Sequence, residues 1–149
     1  MQNSADLPVI SLYSRIGGEA GIKTLVDRFY YLMDNLPEVR ELRDMHGANL
    51  DPIRQVLFEF LSGWLGGPQL FLERRGEPRL RMRHLPFKIG RKERDQWIFC
   101  MFKAMQDVGV PDALQEELKV AFWTTADHMR NLQDEHSAND LVDVVVHRR

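Results

Sequence analysis

In the segment RLRMRHLPFKIG, residues 79–90, one imidazole, His84, is set among Arg79, Arg81, Arg83 and Lys88 and among Leu80, Met82, Leu85, Phe87 and Ile89. A surface loop has no need of so many large apolar residues, and a core helix does not tolerate so many guanidinium groups. Three chemistries fit. His84 is a hydrogen-bonded, inert histidine beside a solvated basic face. Alternatively the arginines, with Arg74 and Arg75, form a nucleic-acid patch, although no aromatic stacking platform is interleaved and no recognition motif is present. Or His84 is a ligand to a large, apolar, anionic cofactor. Haem is such a cofactor: its iron takes a neutral imidazole nitrogen, its ring needs apolar walls and its two propionates need cations. The segment alone leaves all three open.

Other reactive groups carry less. Asp127–His128 and Glu135–His136 are sequence neighbours that point to different helical faces, so neither suggests a metal site. Glu93, Asp95, Glu116 and Glu117 read as solvated helix surface. Cys100 stands alone, which excludes an internal disulfide, and reads as a buried apolar filler.

The elements that must position His84 are helical. Over residues 51–65, Ile53, Val56, Leu57, Phe60, Leu61, Trp64 and Leu65 repeat with the period of one continuous helical face, Asp51 and Pro52 cap its start, and Gly66-Gly67-Pro68 stops it. The same period predicts helices over about 19–35, 91–108 and 112–134, and a short one near 38–44. The stretch 66–90 holds four glycines, Gly66, Gly67, Gly76 and Gly90, and three prolines, Pro68, Pro78 and Pro86, so any helix in it is short. A loosely structured stretch of that length is usually functional or wrapped around something. The only β-branched cluster is Val142–Val146, and the fold class is all-α.

Length and composition set the frame. A chain of 149 residues, 44% hydrophobic and 28% charged, is one globular domain, with a core expected over about 17–134 and a C-terminal extension over 135–149 that is either a frayed tail or a short extra helix. A net charge of −2 argues against a general polyanion binder. The N-terminus does not read as a signal peptide, and no apolar run approaches the ~20 residues that span a bilayer, so the expectation is a soluble, cytoplasmic protein, monomeric or homodimeric, with no nucleic-acid or membrane partner.

From Gly17-Gly18 to about Leu132 the chain resembles the group II truncated haemoglobins, small two-over-two helical globins. The resemblance rests on an ordered series of motifs: the early GG, RFYYLM, MHGANL, FEFLSGWLGGP, ERRGEPRLRMRHLPFKIG and ERDQW. It implies a two-over-two helical sandwich around haem b with His84 as the proximal iron ligand. It implies Arg83 as the first propionate partner, with Arg81 and Lys88 as alternatives. Met82, Phe87 and Ile89 on one side, and Leu57, Phe60 and Leu61 on the other, would wall the haem. Tyr30, His46 and Trp97 match the positions that stabilise a distal ligand, with Phe29 and Ile53 beside them. On the residues alone, each of that trio also reads as ordinary core or loop. His46 or Tyr30 binding the iron itself is the competing role. One departure stands out: where the family often has a propionate-reaching tyrosine after GGP, this chain has Phe71.

The function implied is binding of oxygen, or another diatomic ligand, as carrier, store or sensor. The alternative is a haem enzyme acting on nitric oxide, peroxide or peroxynitrite. Turnover would then need an external reductase, because no flavin or nicotinamide fingerprint is present. A third reading, an all-α interaction module without haem, requires the motif series to be coincidence and a colourless protein.

Overall fold

A computed structural model describes residues 10–132, and among them every regular element is helical. The helices are α1 (Leu12–Arg15), α2 (Gly18–Asn35), α3 (Arg40–Asp44, entered through a 3-10 turn at Pro37–Val39), α4 (Asp51–Trp64), α5 (Leu70–Arg75), α6 (Leu80–His84), α7 (Arg91–Asp107) and α8 (Asp112–His128). α2 pairs with α4 and α7 with α8, and α2 also packs on α7, which gives the two-over-two arrangement. None of these helices is long and apolar enough to cross a membrane.

The apolar face of α4 is really two. Phe58 and Leu61, with Leu65 just beyond the helix, are buried in the core against α2. Ile53, Leu57, Phe60 and Trp64 lie round the helix from them and are only half-buried. The core itself is drawn from Ile22, Leu25, Val26, Phe29, Leu32 and Met33 of α2, Met101, Ala104 and Met105 of α7, and Leu114, Leu118 and Phe122 of α8.

Three expectations are corrected. Asp51 is the first residue of α4 rather than its cap; the side-chain oxygen of Asn49 accepts from the Asp51 N–H at 3.0 Å, and the Asp51 carboxylate instead pairs with Arg54 one turn on. α8 stops at His128 and not near 134: Met129 and Arg130 donate three residues back, to Ala126 and Asp127, in a tightened last turn, and Asn131 and Leu132 both donate to the carbonyl of Ile89, at 2.8 and 3.0 Å. Glu93 is not simply solvated, since its carboxylate accepts from the Gly90 N–H at 2.7 Å and so caps α7.

The stretch 66–90 contains two short helices, α5 and α6, in keeping with its glycines and prolines. α1 lies ahead of the expected core. Its Tyr13 donates its N–H to the Leu65 carbonyl at 2.8 Å, and the Tyr13 ring closes so tightly on Gly67 that a Cβ there would fall 2.2 Å from it. The expected tail over 135–149 and the Val142–Val146 cluster lie outside the described residues.

Candidate functional site

His84 ends α6, and its side chain is fixed at once. Nδ1 lies 2.6 Å from the Leu80 carbonyl, one helical turn back. A carbonyl only accepts, so Nδ1 carries the proton and Nε2 of the neutral ring carries a lone pair. That is the tautomer an iron ligand requires. Immediately before α6, Arg79 takes a left-handed backbone (φ 40°), the one non-glycine residue among those described to do so. Strain of this kind tends to sit where geometry matters.

His46, just past α3, is fixed the same way, with Nδ1 2.8 Å from the Leu42 carbonyl. Arg43 secures the turn around it by donating to the carbonyls of His46, Gly47 and Ala48, while its Nε bonds Asp34 at 2.8 Å. Burial pushes the His46 pKa below the ordinary histidine range against the pull of its bond to Leu42. The charge of Arg43 pushes it the same way. At neutral pH His46 is therefore neutral, and its Nε2 accepts rather than donates.

Tyr30 is buried in α2, 4.9 Å edge-on from Phe29 and 6.2 Å from the His46 ring. Burial first, then the Cys100 thiol, holds its hydroxyl protonated well above the ordinary tyrosine range, opposed by Arg54. Trp97, half-buried in α7, lies 5.2 Å from Phe29 and 5.6 Å from Phe122. Phe122 in turn stacks on Trp64, which is 6.2 Å from Phe60, itself 6.1 Å from Phe71. An unbroken aromatic arc thus runs from His46 to Phe71. Neither the Tyr30 hydroxyl nor the Trp97 indole N–H is engaged by another described residue.

The remaining expected residues divide. Ile53 and Leu57 form the half-covered stripe of α4 with Phe60, while Leu61 is closed inside the core. Around His84, Met82, Leu85 and Phe87 are 52%, 56% and 46% exposed, and Ile89 is buried. An apolar stripe and an exposed apolar cluster carrying a prepared imidazole suit a large flat apolar group, so these residues fit haem. Lys88 is exposed. Arg83 is occupied with backbone: Nε donates to Pro78 at 2.7 Å and Nη2 to Arg75 and Glu77 at 3.2 and 3.0 Å, while its guanidinium lies over Phe71. Arg81 donates to the carbonyls of His128 and Arg130. Cys100 is buried, donates weakly to the Phe29 carbonyl, and has its thiol pushed up by burial to about 12.

Sequence reasoning missed three residues here. Arg54 keeps a buried Nε with no hydrogen-bond partner on the Tyr30 side of α4. Glu59 is a buried carboxylate held by Arg74, Arg75 and Gln55 at 3.0, 2.7 and 2.8 Å. Asn131 ties the end of α8 to the segment that follows His84. A single acid amid the apolar residues of α4 was the one available signal, for Glu59. Nothing in the sequence flags the other two.

Comparison with known proteins follows this geometry. The family described as bacterial-like globin matches residues 11–131. The group 2 truncated hemoglobin YjbI of Bacillus subtilis is 38% identical over 119 residues, covering 80% of this chain and 87% of that protein. The structure of a cold-adapted truncated hemoglobin from the Antarctic bacterium Pseudoalteromonas haloplanktis is 47% identical and covers 83% of this chain and all of its own, with a TM-score of 0.81. A truncated oxygen-avid haemoglobin from Bacillus subtilis is 36% identical, covers 82% of this chain and all of its own, and has a TM-score of 0.75.

Proposed function

Because the chain belongs to the group II truncated haemoglobins, a family of haem proteins that bind diatomic ligands, we propose that it binds oxygen on ferrous haem b held by His84. When bound, haem supplies an iron with one position for the protein and one for a diatomic ligand. The observation that carries the proposal is the pinned imidazole: the Leu80 carbonyl holds the Nδ1 proton of His84 and leaves Nε2 as a fixed lone pair. Met82, Phe87 and Ile89 on that side, and Leu57 and Phe60 on the other, exclude water from the ligand. Tyr30 and Trp97 donate to it, and Ile53, which has no polar atom, leaves that work to them. The oxygen avidity of the Bacillus subtilis relative supports the same reading.

Arg83 holds the proximal turn through three carbonyls and keeps Nη1 for a propionate. Arg81 and Lys88 flank it. Arg54 adds a guanidinium on the distal side.

One observation favours a second reading. A neutral His46 with an accepting Nε2 beside Tyr30 is a base able to take a proton from a peroxide. Such turnover, or turnover of nitric oxide, would draw electrons from an external reductase.

The test is the absorption spectrum of the purified protein in ferric, ferrous and oxygen-exposed forms, beside His84→Ala. A Soret band that the substitution weakens or shifts establishes both the cofactor and its ligand. A protein with no Soret band after added haem is not an oxygen binder, whatever its fold. A His46→Leu variant that consumes peroxide as fast as the unaltered protein removes the second reading.

A further inference from the structure

We propose that Asn131 is the positioning residue for His84, fixing from the end of α8 the turn that carries the iron-binding imidazole. The proposal rests on the reading of His84 as the haem ligand. Its grounds are a set of hydrogen bonds between segments more than forty positions apart. The Asn131 side-chain amide donates through Nδ2 to the carbonyls of His84, at 3.1 Å, and Phe87, at 2.8 Å. Its Oδ1 accepts from the Ile89 N–H at 3.0 Å. The orientation of the amide is not in question, since Nδ2 faces two acceptors and Oδ1 a donor. The Asn131 and Leu132 amides both donate to the Ile89 carbonyl, and Arg81 within α6 donates back to the carbonyls of His128 and Arg130.

The consequence is geometric. His84 is the last residue of α6, and a helix end is free to fray unless its carbonyls are engaged. Only Leu85 and Pro86 separate it from Phe87, which donates to the His84 carbonyl at 3.0 Å. Exposed Leu85 and Phe87 supply little packing to hold this turn. Asn131 engages the carbonyls at both ends of it and the amide two residues further on. It thereby fixes the peptide plane beyond His84, as the Leu80 carbonyl fixes the ring, and the two together aim Nε2. A side chain touching neither haem nor ligand would in this way set the strength of the iron–histidine bond and the lifetime of the haem complex.

The experiment compares Asn131→Asp and Asn131→Ala with Gln115→Ala, which removes a buried bond to the Val110 carbonyl at the far end of α8 and serves as the control for stability alone. Asn131→Asp keeps the shape and the acceptor for Ile89 but loses both donations and turns a carboxylate toward two carbonyls. Haem transfer to an acceptor apoprotein should accelerate about 10-fold or more in both Asn131 variants, the size expected for losing two hydrogen bonds. The ferrous iron–histidine stretching frequency should fall in both and stay unchanged in Gln115→Ala. Unchanged haem loss and frequency in folded Asn131 variants, or an equal frequency shift in Gln115→Ala, would overturn the proposal.

Should the Asn131 variants fail to fold, amide exchange in the unaltered apoprotein decides. The Ile89 amide is expected to be protected, and exchange at the rate of an open amide refutes the tie. If the unaltered protein takes up no haem while Ile89 remains protected, it is the haem reading of His84 that has failed and not the tie.

Discussion

His46 and His84 are held alike: each donates from Nδ1 to the carbonyl four residues earlier, at 2.8 and 2.6 Å. Thirty-eight residues apart in sequence, the two rings have matched tautomers. On the proposed reading the shared geometry suits them to opposite tasks. A lone pair on Nε2 is what a metal ligand needs, whereas a hydrogen-bond donor to a diatomic ligand needs a proton there. His46 becomes such a donor only as the imidazolium.

This fixes the sign of a pH effect. The His46 pKa lies below the ordinary histidine range, so the ring is neutral at pH 7 and gains its Nε2 proton only as pH falls through that lowered value. In the carbon monoxide form, the C–O stretching band should be constant from about pH 9 to pH 7 and shift to lower frequency below about pH 6.5. In His46→Phe it should not move. A midpoint above the ordinary histidine value would contradict the burial of His46.

On the proposed reading, Tyr30 and Trp97 are the donors to the ligand at neutral pH. Tyr30→Phe and Trp97→Phe should each remove about 1–3 kcal/mol of ligand stabilisation, seen as an oxygen off-rate faster by about 5- to 150-fold. Phe29 touches both rings, 4.9 Å from Tyr30 and 5.2 Å from Trp97. The double variant should therefore depart from additivity, because each ring braces the other through it. Stopped-flow oxygen release measures all three, and off-rates unchanged in both single variants would remove the pair from the site.

Glu59 should contribute to acid stability. Burial raises its pKa, but Arg75, Gln55 and Arg74 overcome that penalty and bring it down to about 2. A carboxylate with a depressed folded pKa contributes stability that is fully present above its unfolded value and is lost as pH falls through the folded one. Here that window runs from the ordinary 4.5 down to about 2. Both arginines are partly exposed and screened, so the contribution is about 2–3 kcal/mol. Glu59→Gln should lower stability by that amount at pH 7 and flatten its fall below pH 4.5, by denaturant unfolding of the apoprotein. An unchanged acid transition would show that the cluster adds nothing.

These residues also show what a sequence can hold. Ile53, Leu57, Phe60 and Trp64 announce α4 because helical periodicity is local, and the glycines and prolines of 66–90 announce short helices for the same reason. The division of α4 into a buried face and a half-covered stripe depends on where α2 lies, which no window of α4 contains. Glu59 meets its arginines fifteen and sixteen positions on, Asn131 meets His84 forty-seven positions back, and the backbone just past α8 bonds to the Ile89 carbonyl. An ordered series of motifs singles out Tyr30, Trp97 and His84 as candidates, but the tautomer that separates His46 from a simple donor lies in one 2.8 Å bond.

Arg83 allows charge to be separated from shape. Its Nε and Nη2 reach three carbonyls at once, and its guanidinium carbon lies 5.3 Å from the centre of the Phe71 ring. Lysine keeps the charge but has neither the planar fork nor the stacking surface. If the carbonyl clamp is the larger part of its role, Arg83→Lys should resemble Arg83→Ala, and both should lower apoprotein stability by about 1–2 kcal/mol. Haem loss should then accelerate in both, more in Arg83→Ala, where the cation for a propionate is gone as well. Thermal unfolding of the apoprotein, with no cofactor to confuse charge with shape, is the deciding measurement. An Arg83→Lys protein as stable as the unaltered one would mean that the clamp is incidental and that Arg83 acts through its charge alone.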